Sequence, residues 1–556
     1  MHLLRNVAAQ SCVLSMLAGV TLLAQVPRDR PATGSTATGT AVISGRMTVT
    51  TAAGIAPVRR ARVVLESDAL KQPLTTDTDT DGRYRFTTLP AGAMRVHGEK
   101  AGFVAKIADP RRAFEPPAAV DVKVGQSLTW DLPMVPGAAL EGRILKENGD
   151  PAMGVVVSAV RMAYDINGRR PTAVRQVKTD DLGRFRVHTL PAGDYQIDAA
   201  PDPLDAGRQP MVPGTRQVVP ARTYYPGSAR LEEARTVAVT VGQNIGSLDF
   251  TMSSLAMSAL RGKVVLADGT AVLGPAVRMQ RVGGSVGEVR GSSMIESNEF
   301  MYPSVPSGEF WMMAVGRSAR GAEPEFGVVR LTMAGEDVTN LSVSTAKPPG
   351  VSGKVEGIAT LAGLSIVAHE TAFEWPSFPG EAPFSWTAPV AADGSFAFKV
   401  LPGPRLLRVT GLPSGVAIKS ISLGEKDVTD APFEIAPGGP APAIRVVLTP
   451  ETSAVSGVVK DASGRPAAGA RVVVFSADET LWGARSRAIH TVEARADGAY
   501  ELIGVLPGQY FVVATSYLES LAWMDAAVLR QLSAGPGANV LTLPPGKITV
   551  PLVVKR

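Results

Sequence analysis

The sequence predicts an all-β protein, a tandem array of five β-sandwich modules with one short helix near the C-terminus. Three observations carry this expectation: length, turn-residue content and an internal repeat. At 556 residues the chain exceeds what one hydrophobic core organises, and ~100–150 residues per domain suggests four or five domains. Glycine (56) and proline (43) are abundant, as in chains of many short strands joined by turns. The repeat then sets the number at five.

Each copy opens on a strand carrying glycine, at Gly45, Gly142, Gly262, Gly353 and Gly457, separated by 97, 120, 91 and 104 residues. Each then makes a hairpin turn at Gly82, Gly183, Asn298, Gly394 or Gly498, and the distance from opening glycine to turn residue is 37, 41, 36, 41 and 41. Such turns need a residue at positive φ, which glycine adopts without steric cost and asparagine better than most. After the turn the period is two: Tyr84 and Phe86 alternate with Arg83 and Arg85, one face for a core and one for water. Leu89-Pro90-Ala91-Gly92 and its counterparts at Leu190, Val305, Leu401 and Leu506 end that strand, because proline stops ladder pairing and glycine turns the chain. Seven or so short strands per ~100 residues make a sandwich. The expected modules are 41–136, 137–256, 257–347, 348–450 and 451–556, the third and fourth being diverged.

Two stretches fall outside the repeat. Arg5 followed by an apolar run from Cys12 to Ala24 reads as a signal peptide over residues 1–24. That run is too short for the ~20 residues that cross a bilayer, so no membrane span is expected after its removal. The chain is expected to be exported, to a periplasmic or extracellular location, and without disulfides, since Cys12 is its single cysteine. Residues 25–40 read as a flexible linker. Residues 517–532 place Leu518, Leu521, Val528, Leu529 and Leu532 largely on one helical face, predicting a helix inserted in the fifth module and packed on its own sheet; a docking helix for a partner is the alternative.

Ser456-Gly457-Val458-Val459-Lys460-Asp461, Gly464-Arg465-Pro466, Gly469-Ala470-Arg471-Val472 and the Asp497-Gly498 hairpin resemble the carboxypeptidase regulatory-like domain. The resemblance implies an Ig/transthyretin-like or carbohydrate-binding-like β-sandwich, a non-catalytic module that elsewhere accompanies catalytic, adhesive or transport domains. The first, second and fifth copies carry it best.

Candidate chemistry is sparse. Lys+Arg exceed Asp+Glu by 56 to 51 and are dispersed, with no basic run to follow a phosphate backbone, so no nucleic-acid partner is expected. His490-Thr491-Val492-Glu493 has a zinc-ligand spacing, yet on a strand the two residues face opposite ways and no third ligand follows. His369-Glu370 begins a zincin motif and then places Phe373 where the second histidine belongs. Gly283-Gly284-Ser285-Val286-Gly287 has nucleophile-elbow spacing without the strand-to-helix context. Asp77, Asp79 and Asp81 before Gly82 resemble the first half of a calcium loop, but Thr88 stands where a bidentate glutamate is required, and Asp180 and Asp181 recur at the matching hairpin. No cofactor is expected.

The feature that the repeat does not explain is an aromatic cluster in the fourth copy. Phe373, Trp375, Phe378, Phe384 and Trp386 fall in a Pro-rich stretch of a chain that is only 6% aromatic. Rings on a rigid loop stack on sugar faces; alternatively they fill the core or a junction with a neighbouring module. The expected function is therefore a non-catalytic, exported, multi-module binding or adhesion protein, with a polysaccharide or cell-envelope component as partner and carbohydrate binding as its activity. A structural spacer or assembly partner of a bacterial-type cell envelope is the alternative, and a cryptic hydrolase the last.

Overall fold

The computed structural model describes residues 39–554 apart from 52–53, 166–167, 203–217, 283–289, 292, 295–297, 373–374, 376–386, 435–442 and 536–537. The expected signal peptide and nearly all of the linker thus lie outside the described residues.

Short alternating strands with frequent turn residues fold here into ten sheets, two per sandwich. In every sandwich the glycine-bearing opening strand pairs antiparallel with the strand after the hairpin turn and parallel with the closing strand. The second sheet is antiparallel throughout, its central two strands separated in sequence by a strand of the first sheet. In the fifth sandwich Arg471–Ser476 lies between Ile489–Glu493 and Gly508–Thr515, with Val540–Leu543 at the edge. The protein is thus a tandem β-sandwich array.

Register explains why glycine recurs. Gly45 lies opposite Tyr84, Gly142 opposite Phe185, Gly262 opposite Phe300, Gly353 opposite Phe396 and Gly457 opposite Tyr500. A Cβ on these glycines would sit 1.9 Å from the Trp130 carbonyl oxygen, 2.3 Å from that of Leu248, 2.4 Å from Leu341, 2.2 Å from Ile444 and 2.2 Å from Val550. The closing strand therefore sends a carbonyl into the space a side chain would occupy, and the aromatic ring from the hairpin strand covers the gap. In the first and fifth sandwiches the covering tyrosine also donates its hydroxyl to that carbonyl, Tyr84 to Trp130 and Tyr500 to Val550, the latter at 2.6 Å. Burial pushes both phenols well above their ordinary range, and at Tyr84 the Asp131 charge adds to it.

The hairpin glycines meet a second demand. Gly82, Gly183, Gly394 and Gly498 have φ of 75°, 72°, 85° and 78°. Their carbonyls accept from the opening strand at Met47, Ile144, Val355 and Val459, each at 2.8 Å. Asn298 fills the same place in the third sandwich, its carbonyl accepting from Val264 N–H at 2.9 Å and its amide donating back to Val264 O at 3.1 Å.

The two sheets of each sandwich close on their own apolar core. In the first, Ile43, Met47, Leu65, Phe86, Met94 and Val122 are buried. The second joins Leu140, Ile144, Val157, Phe185 and Ile197, and the third Leu260, Val277, Phe300 and Met312. The fourth joins Val351, Ile366, Phe396, Leu407 and Val446, and the fifth Val455, Val472, Tyr500 and Val512. Full burial of such a side chain contributes roughly 1.5–3 kcal/mol.

The chain divides into two compact units, Met1–Lys100 with Pro117–Met134, and Ala101–Pro116 with Val135–Arg556. Residues 101–116, expected to belong with the first module, thus cluster with the larger unit. The third sandwich opens at Ser254, just before the expected boundary at 257, and borrows Val218–Pro220 as an added strand.

The helix predicted over 517–532 is shorter. Leu521 takes a left-handed φ of 65°, Ala522–Met524 forms a 3-10 turn, and Asp525 caps the α-helix Ala526–Ala534 (α1) by accepting from Ala527 N–H at 2.7 Å. Leu529 is fully buried against Val473, Phe475, Trp482 and Val513, the outer face of its own second sheet. Covering its own sheet is thus what this segment does.

Candidate binding loop and module junctions

The aromatic stretch of the fourth sandwich starts where the strand Ser365–Glu370 ends beside Arg405–Thr410, with Glu370 opposite Arg405. Arg405 is 1% exposed, so its charge requires partners inside the protein. It has Glu370 Oε1 at 3.3 Å and donates to the carbonyls of Leu401 at 3.2 Å and Pro402 at 3.1 Å. Burial pulls the guanidinium below its ordinary value and Glu370 opposes this. The same Glu370 carboxylate accepts from Trp375 N–H, and Pro402 O accepts from the Trp375 indole at 3.0 Å.

With both its N–H groups held, Trp375 has one place to put its ring. That ring meets Phe326 edge-on, centroids 5.6 Å apart at 88°, and packs with Met313, Val315 and Leu401. Phe326, Met313 and Val315 belong to the second sheet of the third sandwich, in strands Glu325–Met333 and Gly308–Arg317. Trp375 is therefore a junction plug between the third and fourth sandwiches. Phe373, Phe378, Phe384 and Trp386 lie outside the described residues.

The fourth and fifth sandwiches meet through charge. Asp430 receives Arg487 Nε at 3.1 and 3.0 Å and its terminal nitrogen at 2.9 Å, with Arg408 at 3.6 Å. Arg408 also donates to the carbonyls of Arg485 and Thr429, each at 2.7 Å, and Arg487 donates to Ile418 O at 3.0 Å. Burial brings Arg408 down to about 10 against the pull of Asp430. Burial, followed by Arg485 and Arg408, brings neighbouring His369 down to about 4. Beside this lock lies a cavity of about 710 Å³ lined by, among others, Lys419, Glu451, Asp478, Arg487, Gln509 and Tyr510.

The sequence reading missed this lock and the Arg405 pair. Their signal is Arg405-Leu406-Leu407-Arg408, two cations within a strand that otherwise reads as buried.

The other candidates are held in local structure. Asp79 Oδ1 accepts from the N–H of Asp81 at 2.9 Å and of Arg83 at 2.7 Å, while Asp81 pairs with Arg83 at 2.7 Å. Asp180 repeats the turn, accepting from Leu182 at 3.0 Å and Arg184 at 2.7 Å. Asp77 sits on the strand Leu74–Asp77 opposite Arg62. His490 lies opposite Val474 with its Nε2 buried and unpartnered, and Glu493 pairs with Arg471 at 3.7 Å. Ser285 lies outside the described residues. Among the described residues no group of three or more His, Cys, Asp or Glu is placed to hold a metal ion, and no helix is long and apolar enough to cross a membrane.

Solved structures similar to this chain include the Bacillus anthracis TIE protein, at 12% identity over 74% of this chain and 73% of that one, TM-score 0.15. The minor pilin GBS52 of Streptococcus agalactiae is 15% identical over 38% and 96%, TM-score 0.20. Two B repeat units of the collagen-binding protein of Staphylococcus aureus are 11% identical over 74% and 99%, TM-score 0.13. No curated protein matches the chain. The sequence model of the carboxypeptidase regulatory-like domain matches residues 42–135 and 454–520. Residues 42–135 in the first sandwich and 454–520 in the last are thus the parts of this chain that match the carboxypeptidase regulatory-like domain.

Proposed function

We propose that this chain is a non-catalytic adhesion or structural array of the cell exterior, exported by its N-terminal signal and working in the periplasm or outside the cell. The observation that carries the reading is where its buried charge goes. Arg405 with Glu370, and Arg408 and Arg487 with Asp430, stand at the faces where consecutive sandwiches meet. Breaking a buried pair costs about 3–5 kcal/mol, so charges placed there hold modules in one arrangement. Fixing the geometry of a multi-module surface is what an adhesin or scaffold requires.

The ligand class we assign is carbohydrate, as a polysaccharide or another cell-envelope component. Two things support it: the resemblance to carbohydrate-binding-like sandwiches, and an aromatic stretch whose base is pinned at Trp375. Pinning reduces the entropy lost when a loop binds. The test is binding of the full chain and its Trp386→Ala and Trp375→Ala variants to a polysaccharide and cell-envelope panel. Binding by the parent that Trp386→Ala weakens tenfold or more supports the assignment. Equal binding by parent and variants, or none, removes carbohydrate and leaves the structural role.

A further inference from the structure

The second and fifth sandwiches are far apart in sequence, yet they touch. Arg161, on the strand Val156–Asp165 of the second sandwich, pairs with Glu519 of the fifth at 2.6 Å, both side chains mostly buried. Residues 101–116 lie at the same place. The Arg161 guanidinium stands over the Phe114 ring, 4.2 Å from its centroid, and Phe114 meets Tyr195 edge-on at 6.2 Å. Arg112 donates to Ser516 O at 3.3 Å, and Arg111 and Arg112 lie 5.3 and 5.5 Å from the Tyr517 ring centroid. Arg112 also pairs with Glu115 at 3.3 Å, and Arg111 with Asp109 at 2.7 Å.

The two segments that meet are equivalent insertions. Residues 101–116 follow the strand Gly92–Glu99 of the first sandwich, and 517–525 follow Gly508–Thr515 of the fifth. In each copy the insertion comes after the first strand beyond the Pro-Gly turn. One supplies arginines and a phenylalanine, the other a tyrosine and a glutamate, and both converge on Arg161.

We propose that these residues form a latch that closes the fifth sandwich onto the second, with residues 110–115 as the strap between them. Arg161 is its centre, because it contacts both insertions: Phe114 through its face and Glu519 through its edge. The cation–π contact gains strength where water is excluded, and the ion pair adds direction. With the latch shut, the body formed by the second to fifth sandwiches is closed rather than strung out as a rod. With it open, the fifth sandwich moves away from the second while each sandwich keeps its own core.

The test is small-angle X-ray scattering of the full chain. Glu519→Arg sets two guanidiniums against each other and is expected to raise the radius of gyration by roughly a tenth or more, since a freed ~100-residue module of ~13 Å radius moves outward. The double reversal Arg161→Glu/Glu519→Arg restores the ion pair but leaves no cation on Phe114, so it is expected to recover only part of the compaction. Phe114→Ala, which removes the strap's ring without altering charge, also expands the protein. Circular dichroism unchanged from the parent separates opening from unfolding. An unchanged radius in both Glu519→Arg and Phe114→Ala overturns the latch. So does expansion of Glu519→Arg that the double reversal does not reduce at all, or loss of strand signal accompanying it.

Discussion

Gly353 and Gly350 stand three residues apart on one strand, Gly350–Glu356, and alanine is expected to do opposite things at the two sites. At Gly353 a Cβ would lie 2.2 Å from Ile444 O and 2.5 and 2.9 Å from the Phe396 ring; at Gly350 it would meet nothing within 4 Å. The ring has its own core to fill and the carbonyl belongs to the closing strand, so Gly353→Ala must push that strand away. Overpacking costs about 1–3 kcal/mol, and losing one ladder hydrogen bond adds about 1. We expect Gly353→Ala to destabilise the fourth sandwich by about 2–4 kcal/mol, and Gly350→Ala to stabilise it by about 0.4–1 by restricting the unfolded chain. Hydrogen exchange read by mass spectrometry on peptides covering 350–356, 395–399 and 444–449 measures this locally, which a single melting curve of a multidomain chain does not. At 1.4 kcal/mol per tenfold, exchange in Gly353→Ala should quicken roughly thirty- to several-hundredfold. Equal protection in the two variants would refute the claim that the closing carbonyl demands glycine.

At the junction of the third and fourth sandwiches, Trp375→Ala is expected to cost about 2 kcal/mol, less than the 3–5 for a fully buried tryptophan because Trp375 is half-buried. Exchange should quicken around Phe326 and Leu401 and remain unchanged in the fifth sandwich. Asp430→Asn leaves Arg408 and Arg487 without their shared carboxylate; about 2–3 kcal/mol should be lost between the fourth and fifth sandwiches, checked by denaturation followed with exchange in 405–410 and 485–493. Burial lowers His490 to about 4, so between pH 6.5 and 4 the unfolded chain binds a proton that the folded one refuses. Stability of the fifth sandwich is thus full above about pH 6.5 and falls by up to about 3 kcal/mol toward pH 4. His490→Phe should flatten that slope; an equally steep slope in the variant contradicts the assignment. Millimolar calcium is expected to leave the melting of the first sandwich unchanged, because Asp79 already accepts two backbone N–H groups; a rise in the midpoint would restore the calcium reading.

Much of the fold was legible because its determinants are local. The Asp79-to-Arg83 turn and its counterpart at Asp180 are specified by residues that touch their own neighbours, so aligning the copies recovers them. The opening glycines were legible as landmarks but not as causes. Their reason is a carbonyl from residues 79 to 106 positions later, in Trp130, Leu248, Leu341, Ile444 or Val550, and no local pattern reports it. The helix shows the same division. Its apolar face was readable, but the left-handed turn at Leu521 and the 3-10 turn that shorten it were not.

The aromatic stretch was recognised by composition, and composition is silent about which side of a loop faces a neighbour. Trp375 became a junction residue because Glu370 and Pro402 hold it and Phe326 receives it, three residues from three different strands or turns. By itself the sequence determined the repeated module and its turns, since steric preference and period-two burial act within a few residues. Only the tertiary structure decided which charges are buried and which sandwiches lock together, because a charge finds its partner in space and not along the chain.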